Sequence, residues 1–180
     1  KGFTMREYGE NSTMNQNDNV SLNFTMNKHD MGEKVKRETF AYNLTLILLK
    51  GEARIEIPGT GSHDLHREEL TFIPAETTYQ LNITRDCLIL EIRFKEISNL
   101  FCRLFFKHLT TLCKNVTYRF MPLPSCSAMK DYIEKVTTFM NARDASILTP
   151  DYELFVILGV YYPRSTIANF LYPYLLTIKP

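Results

Sequence analysis

Two hydrophobic rhythms divide the chain. From residue 21 to about 95, apolar residues alternate with polar ones or run in short blocks, the period-2 signature of strands. From residue 97 to 178 they recur at helical spacing. Residues 1–20 are a polar, Asn-rich arm with little periodicity. Strands followed by helices predict an α+β chain rather than an alternating α/β one.

In the strand region, Leu22, Phe24 and Met26 share one face of a strand over 21–26. Phe40–Leu49 is apolar enough to be a strand buried on both sides, and Lys50-Gly51 breaks it. Ala53, Ile55 and Ile57 then alternate with Glu52, Arg54 and Glu56. Pro58-Gly59-Thr60-Gly61 is a turn by composition. Leu65–Ile73 is read as one strand ended by Pro74, Tyr79–Ile83 as another, and Cys87–Phe94 as a third with Leu88, Leu90, Ile92 and Phe94 on one face. Short strands spaced by about 10 residues predict a small barrel or sandwich.

Three helices are expected. The first, Ser98–Lys114, carries the stripe Leu100, Phe101, Leu104, Phe105, Leu109 and Leu112. The second follows Ser125 and Ser127, either able to cap it, and its stripe is Met129, Tyr132, Ile133, Val136, Phe139 and Met140. The third starts at Thr149-Pro150-Asp151, is apolar nearly all round over Leu154–Tyr162, and is interrupted at Pro163 before Ser165–Leu171. Such a helix is either a subunit interface or packed inside the monomer.

Composition narrows the function classes. The 180 residues carry 21 Lys+Arg against 20 Asp+Glu, net +1, so the piece has no general attraction for nucleic acid or anionic membrane. Lys34-x-Lys36-Arg37 is the one basic cluster and reads as a protected strand edge. No apolar run reaches the roughly 20 residues of a membrane span, and the expected location is the cytoplasm. Cys87, Cys102, Cys113 and Cys126 are too widely spaced for a zinc or redox pair and are expected as free, half-buried thiols. The sequons at Asn11, Asn19, Asn23, Asn43, Asn82 and Asn115 would suit a secreted glycoprotein, or simply exposed polar positions.

Catalytic motifs are missing. His63-x-x-His66 is the only close histidine pair and reads as solvated loop residues. No nucleophile elbow, phosphate loop or dinucleotide fingerprint occurs. Neither metal nor cofactor is expected, and the chain is expected not to be an enzyme.

The segments FAYNLTLILLKGEARIEI (40–57), REELTFIPAETTYQLNI (67–83) and CLILEIRF (87–94) resemble the cupin barrel of AraC-family bacterial transcription regulators. EKVTTFMNA (134–142) and PDYELFVILGVYYPRSTIANFLYPYLL (150–176) resemble the helices that follow that barrel and often make the dimer. The resemblance implies an antiparallel jelly-roll barrel over 21–96, helices forming a dimerisation bundle over 97–180, and an arm over 1–20 able to close the barrel mouth. It implies a homodimer, a small effector such as a sugar or small acid, and DNA contact only through a helix-turn-helix domain beyond Pro180. The expected effector wall is Tyr42, Phe72 and Tyr79 with Arg93 as an anion partner; the plainer reading is that the three aromatics are core. The expected dimer contacts are Leu154, Ile157, Leu158 and Tyr161. Two departures from metal-binding cupins stand out. Tyr79 lies where a metal-ligating His would fall, and Phe40–Ile57 holds no His-x-His. A metal-dependent cupin enzyme is the alternative reading, and a secreted glycosylated binding domain the third.

Overall fold

The computed structural model describes residues 3–4, 20–97, 99–142 and 152–178. Seven strands form one antiparallel sheet: β1 (Phe3–Thr4), β2 (Val20–His29), β3 (Lys34–Glu38), β4 (Asn43–Ile57), β5 (Gly61–Leu65), β6 (Leu70–Ile73) and β7 (Thr78–Ile97). The hydrogen-bonded path is β1-β2-β7-β4-β5, with β3 on β7 and β6 on β4. Its two ends are not joined, so the sheet curls without closing, which corrects the expected barrel.

Two long strands explain the curl. β4 and β7 run side by side, and their register slips between Leu48 and Ala53. The first half of β4 pairs with residues 88–94 of β7 and with β6; the second half pairs with 80–85 and with β5. The Lys50-Gly51 break is thus a bulge inside one strand, not the end of a strand. It shifts side-chain parity by one. Leu44, Leu46 and Leu48 before it, and Ala53, Ile55 and Ile57 after it, all enter the same inner core. There they meet Ile73, Tyr79, Leu81, Ile83 and Ile89, so aliphatic side chains fill the inside of the curl.

Before the bulge β4 is buried on both faces, as its apolar block predicts. Its other face, with Phe24, Phe72, Leu90, Ile92 and Phe94, packs under the helices. The expected strand 65–73 is two strands, β5 and β6, with β6 buried at all four positions. β3 pairs only with β7 and its lysines are exposed, as expected of an edge.

The helices are α1 (Leu100–Leu112), α2 (Ser127–Ala142), α3 (Glu153–Tyr161), α4 (Arg164–Phe170) and α5 (Tyr172–Leu175). They share one core with the sheet rather than forming a bundle of their own. Asn99 caps α1, its side chain accepting from Cys102 N–H at 3.2 Å. The Ser125 hydroxyl instead donates to the Glu68 carbonyl. α2 buries the six residues of its expected stripe. α1 does not: it buries Cys102, Phe105, Phe106 and Leu109, and leaves Leu100, Phe101 and Leu104 exposed. α3 ends before Pro163, with Tyr162 already extended. The expected cap at Thr149-Pro150-Asp151, and the arm apart from β1, lie outside the described residues. No helix among the described residues is long and apolar enough to cross a membrane.

The link between α1 and α2 is held by side chains. Asn169 in α4 pairs with both main-chain groups of Arg119, at 3.0 and 2.9 Å. The Tyr162 hydroxyl accepts from Cys126 N–H and donates to the Pro124 carbonyl. Phe120 of this link packs on the inner core, its ring 4.2 Å from His63.

Candidate functional site

Position in the fold decides which of the expected residues meet. The ends of β4 and β7 farthest from the bulge face one another across the curl. Odd-numbered β7 residues point inward there, which places Ile89, Glu91 and Arg93 on the inner side. Glu91 is 5% exposed in its side chain, and its Oε2 accepts from Arg93 Nη2 at 2.7 Å. The Arg93 guanidinium lies over the Tyr42 ring, 4.9 Å from the centroid. Tyr42 Oη donates to the Glu38 carbonyl at 3.2 Å. Tyr79, almost wholly buried, approaches from the opposite half of the sheet.

The electrostatics bind these groups into one cluster. Burial pushes the Tyr79 hydroxyl pKa far up, and the Glu91 charge adds to it, so Tyr79 stays a neutral donor. Burial alone would lower the Arg93 pKa, but the Glu91 carboxylate outweighs it by charge and hydrogen bond, and the net direction is up. Glu91 and Arg93 together are a neutral pair, with Arg37 as the further cation near Tyr79.

Two polar atoms in the cluster have no partner among the described residues: Asn23 Oδ1 and Arg93 Nε, both buried. Asn23 and Arg93 are Cα partners across β2 and β7. An unspent acceptor and an unspent donor therefore sit on neighbouring strands, each costing about 1–3 kcal/mol while unpaired.

Strain collects at the same end. Ala41 and Glu76 both have positive φ, 58° and 59°. They lock together: Ala41 N–H donates to Glu76 Oε1 at 3.0 Å and Glu76 N–H to the Thr39 carbonyl at 2.6 Å. Fully buried Thr39 donates to the Pro74 carbonyl and accepts from Thr77 N–H. Non-glycine residues in this region cost of order 1–3 kcal/mol and collect where a site is being shaped.

A surface cavity of about 480 Å³ opens beside Tyr79, between β3, the β4–β5 turn and the start of β7. Lys36, Glu56, Ser62 and Gln80 line it. That volume is within the range of small-molecule sites.

Three of the four expected effector residues, Tyr42, Tyr79 and Arg93, thus come together. Phe72 does not: it faces the helices, with its ring 6.4 Å from Phe94 and 5.7 Å from Phe170. Of the expected dimer residues, Leu154, Ile157 and Leu158 lie in the chain's own core, and only Tyr161 is exposed. Glu91 and Asn23 were not anticipated. The signal for Glu91 was present: Glu91-x-Arg93 interrupts a strand that is otherwise apolar on both faces.

The remaining candidates fall elsewhere. His63 lies in β5 and contacts Thr60 Oγ1 at 3.2 Å, while His66 is exposed. Among the described residues no three His, Cys, Asp or Glu side chains group as metal ligands. Cys87, Cys102 and Cys113 are buried free thiols and Cys126 is half-buried; burial pushes Cys102 up to about 12. Of the sequon residues, Asn43 is buried, with its Oδ1 accepting from Ala75 N–H, whereas Asn115 is exposed.

No known family matches the sequence, and no curated protein does. Solved structures do match. A cupin-superfamily protein from Desulfitobacterium hafniense is similar at 24% identity, over 42% of this chain and 68% of that one, with a TM-score of 0.38. A DMSP lyase from Ruegeria pomeroyi matches at 14% identity over 43% of this chain and 40% of that one, TM-score 0.40. Salicylate 1,2-dioxygenase from Pseudoaminobacter salicylatoxidans matches at 11% identity over 41% and 21%, TM-score 0.38. The expectation of a non-enzymatic chain does not stand beside these neighbours, which include a lyase and a dioxygenase. The described residues form an antiparallel sheet accompanied by helices, similar over less than half of the chain to solved cupin structures.

Proposed function

We propose that this chain is the effector-sensing and dimerising part of a cytoplasmic bacterial transcription regulator of the AraC type, with DNA contact made by a separate domain. The observation that carries the reading is the convergence of Tyr42, Tyr79, Glu91 and Arg93 at one end of the curl, beside strained backbone and an unspent donor–acceptor pair. Aromatic walls with a few converging polar groups suit a small polar effector. A ligand that binds one arrangement better shifts the population toward it. A thermal-shift screen of sugars and small organic acids tests this. At about 100 times its Kd, a true effector adds about 2.7 kcal/mol of stability. The shift disappears in Tyr42→Ala. A screen in which no compound raises the melting temperature, or in which Tyr42→Ala responds like the parent, counts against the site.

The dimer in this reading forms through a second copy of the chain docking on the exposed flank of α1 and the end of α3. Leu100, Phe101, Leu104, Val160 and Tyr161 are all exposed large apolar residues. Phe105 links the two flanks: Phe101 stacks on it, and a Cβ at Gly159 would meet the same ring at 3.1 Å. A stable interface buries about 800 Å² per partner, so the contact extends beyond these five side chains. Leu104→Glu should weaken self-association about tenfold without changing the circular dichroism spectrum. Sedimentation equilibrium showing a strict monomer for the parent chain, or unchanged association in the variant, refutes the surface.

A further inference from the structure

The cavity beside Tyr79 is built across four strands, and it holds one charge of each sign. Register places Lys36 opposite Gln80, Gln80 opposite Glu56, and Glu56 opposite Ser62. All four side chains therefore stand in one row on the outer face of the sheet. Adjacent strands are about 4.8 Å apart, so Lys36 and Glu56 are separated by two strand spacings, about 10 Å at the backbone.

Two neighbouring pairs of charges on this face neutralise one another. Arg54 pairs with Asp64 at 3.0 Å, and Arg85 with Glu52 at 3.7 Å. Among the described residues neither Lys36 nor Glu56 has an ion-pair partner. Glu56 Oε1 accepts from Asn82 Nδ2 at 3.1 Å, and Gln80 Nε2 donates to Asn82 Oδ1 at 2.8 Å. Those bonds fix the row from one side and leave Glu56 Oε2 and Gln80 Oε1 for a ligand. The turn that closes the cavity brings Pro58 and two glycines to it. At Gly59 and Gly61 nothing lies within 4 Å of where a Cβ would stand.

An unpaired cation and an unpaired anion, held apart across one cavity with the Gln80 amide between them, match a ligand carrying both charges. We propose that this cavity binds a small zwitterion, its carboxylate on Lys36 and its ammonium on Glu56, with Gln80 contacting the middle and Ser62 standing beyond Glu56 at the ammonium end. The site is separate from the Glu91–Arg93 cluster and does not depend on the regulatory reading.

The test is an NMR titration of the full chain with 4-aminobutyrate, butyrate and butylamine, which differ only in which charge they carry. The amides of Gly59, Gly61 and Gln80 should move with 4-aminobutyrate at a Kd on the order of 1 mM, and with each single-charge analogue about fivefold more weakly. Lys36→Met and Glu56→Gln should each abolish that preference, and the exchange Lys36→Glu with Glu56→Lys should restore it. These positions are exposed, so the fold should tolerate the changes. Equal binding of butyrate or butylamine, no shift up to about 20 mM 4-aminobutyrate, or no recovery in the exchanged variant overturns the proposal.

Discussion

Gly51→Ala should be among the most damaging single substitutions in this chain, costing about 4 kcal/mol or more, or preventing folding. Gly51 has φ +86°, and a Cβ there would lie 2.0 Å from the Asp86 carbonyl oxygen and 2.7 Å from Cys87 Cα. The obstructing atoms are mostly main chain of β7, so no rotamer change relieves the clash. Relief requires separating β4 from β7 at the bulge where the sheet bends. Gly59→Ala is the control. Gly59 has the same φ, +86°, but nothing lies within 4 Å of its Cβ position. Only the left-handed backbone penalty applies there, about 1–2 kcal/mol. Urea denaturation of both variants separates strain from clash. Equal losses would mean that the close approach of the two strands at Gly51 does not hold the curl.

The same position shows what local sequence patterns can and cannot convey. Lys50-Gly51 is visible as a break, but a break and a bulge look alike when only neighbours along the chain are considered. The parity change was legible: Leu44, Leu46 and Leu48 are even-numbered, whereas Ala53, Ile55 and Ile57 are odd-numbered. What kept the strand going was the β7 main chain arriving from more than 30 residues away. Helix α2 was read correctly because its polar face is distinct, leaving one solution for its buried stripe. α1 and α3 were not, for the opposite reason. With apolar residues on several sides, the pattern does not say which side meets the sheet. Leu100, Phe101 and Leu104 were therefore placed on the apolar stripe of α1, and Leu154, Ile157 and Leu158 at an interface, whereas the fold leaves the first group exposed and buries the second. Phe72 fails similarly: β6 is buried on both faces, so its rotation is set by its pairing with β4 and by the Leu70–Leu123 bridge. In the site, Tyr42, Tyr79 and Arg93 were legible as polar-tipped or charged residues in apolar surroundings. By the same criterion Glu91 should have been chosen with them.

Glu91 and Arg93 supply the second large effect. Arg93→Met should destabilise the chain by about 3 kcal/mol, because Glu91 keeps its buried place and loses its cation. The size follows from the asymmetry of the pair. Arg93 is 32% exposed and can be solvated without a partner, whereas Glu91, at 5%, cannot. Arg93→Lys should cost less, about 1 kcal/mol, keeping the charge but losing the planar group that lies over Tyr42. The double variant Glu91→Leu with Arg93→Met should recover most of the loss, since a buried pair replaced by apolar residues of similar volume is often near neutral. A double-mutant cycle in urea measures the coupling, expected at about 2–3 kcal/mol. Additive effects, or an Arg93→Met loss below about 1 kcal/mol, would mean that the pair is not what stabilises this end of the curl. Effector binding gives an independent readout. If the pair serves a ligand, the recovered double variant is stable yet no longer stabilised by the compound that raises the parent's melting temperature. If it serves only the fold, the double variant responds as the parent does. Stability restored without response is therefore the result that assigns the Glu91–Arg93 pair to sensing.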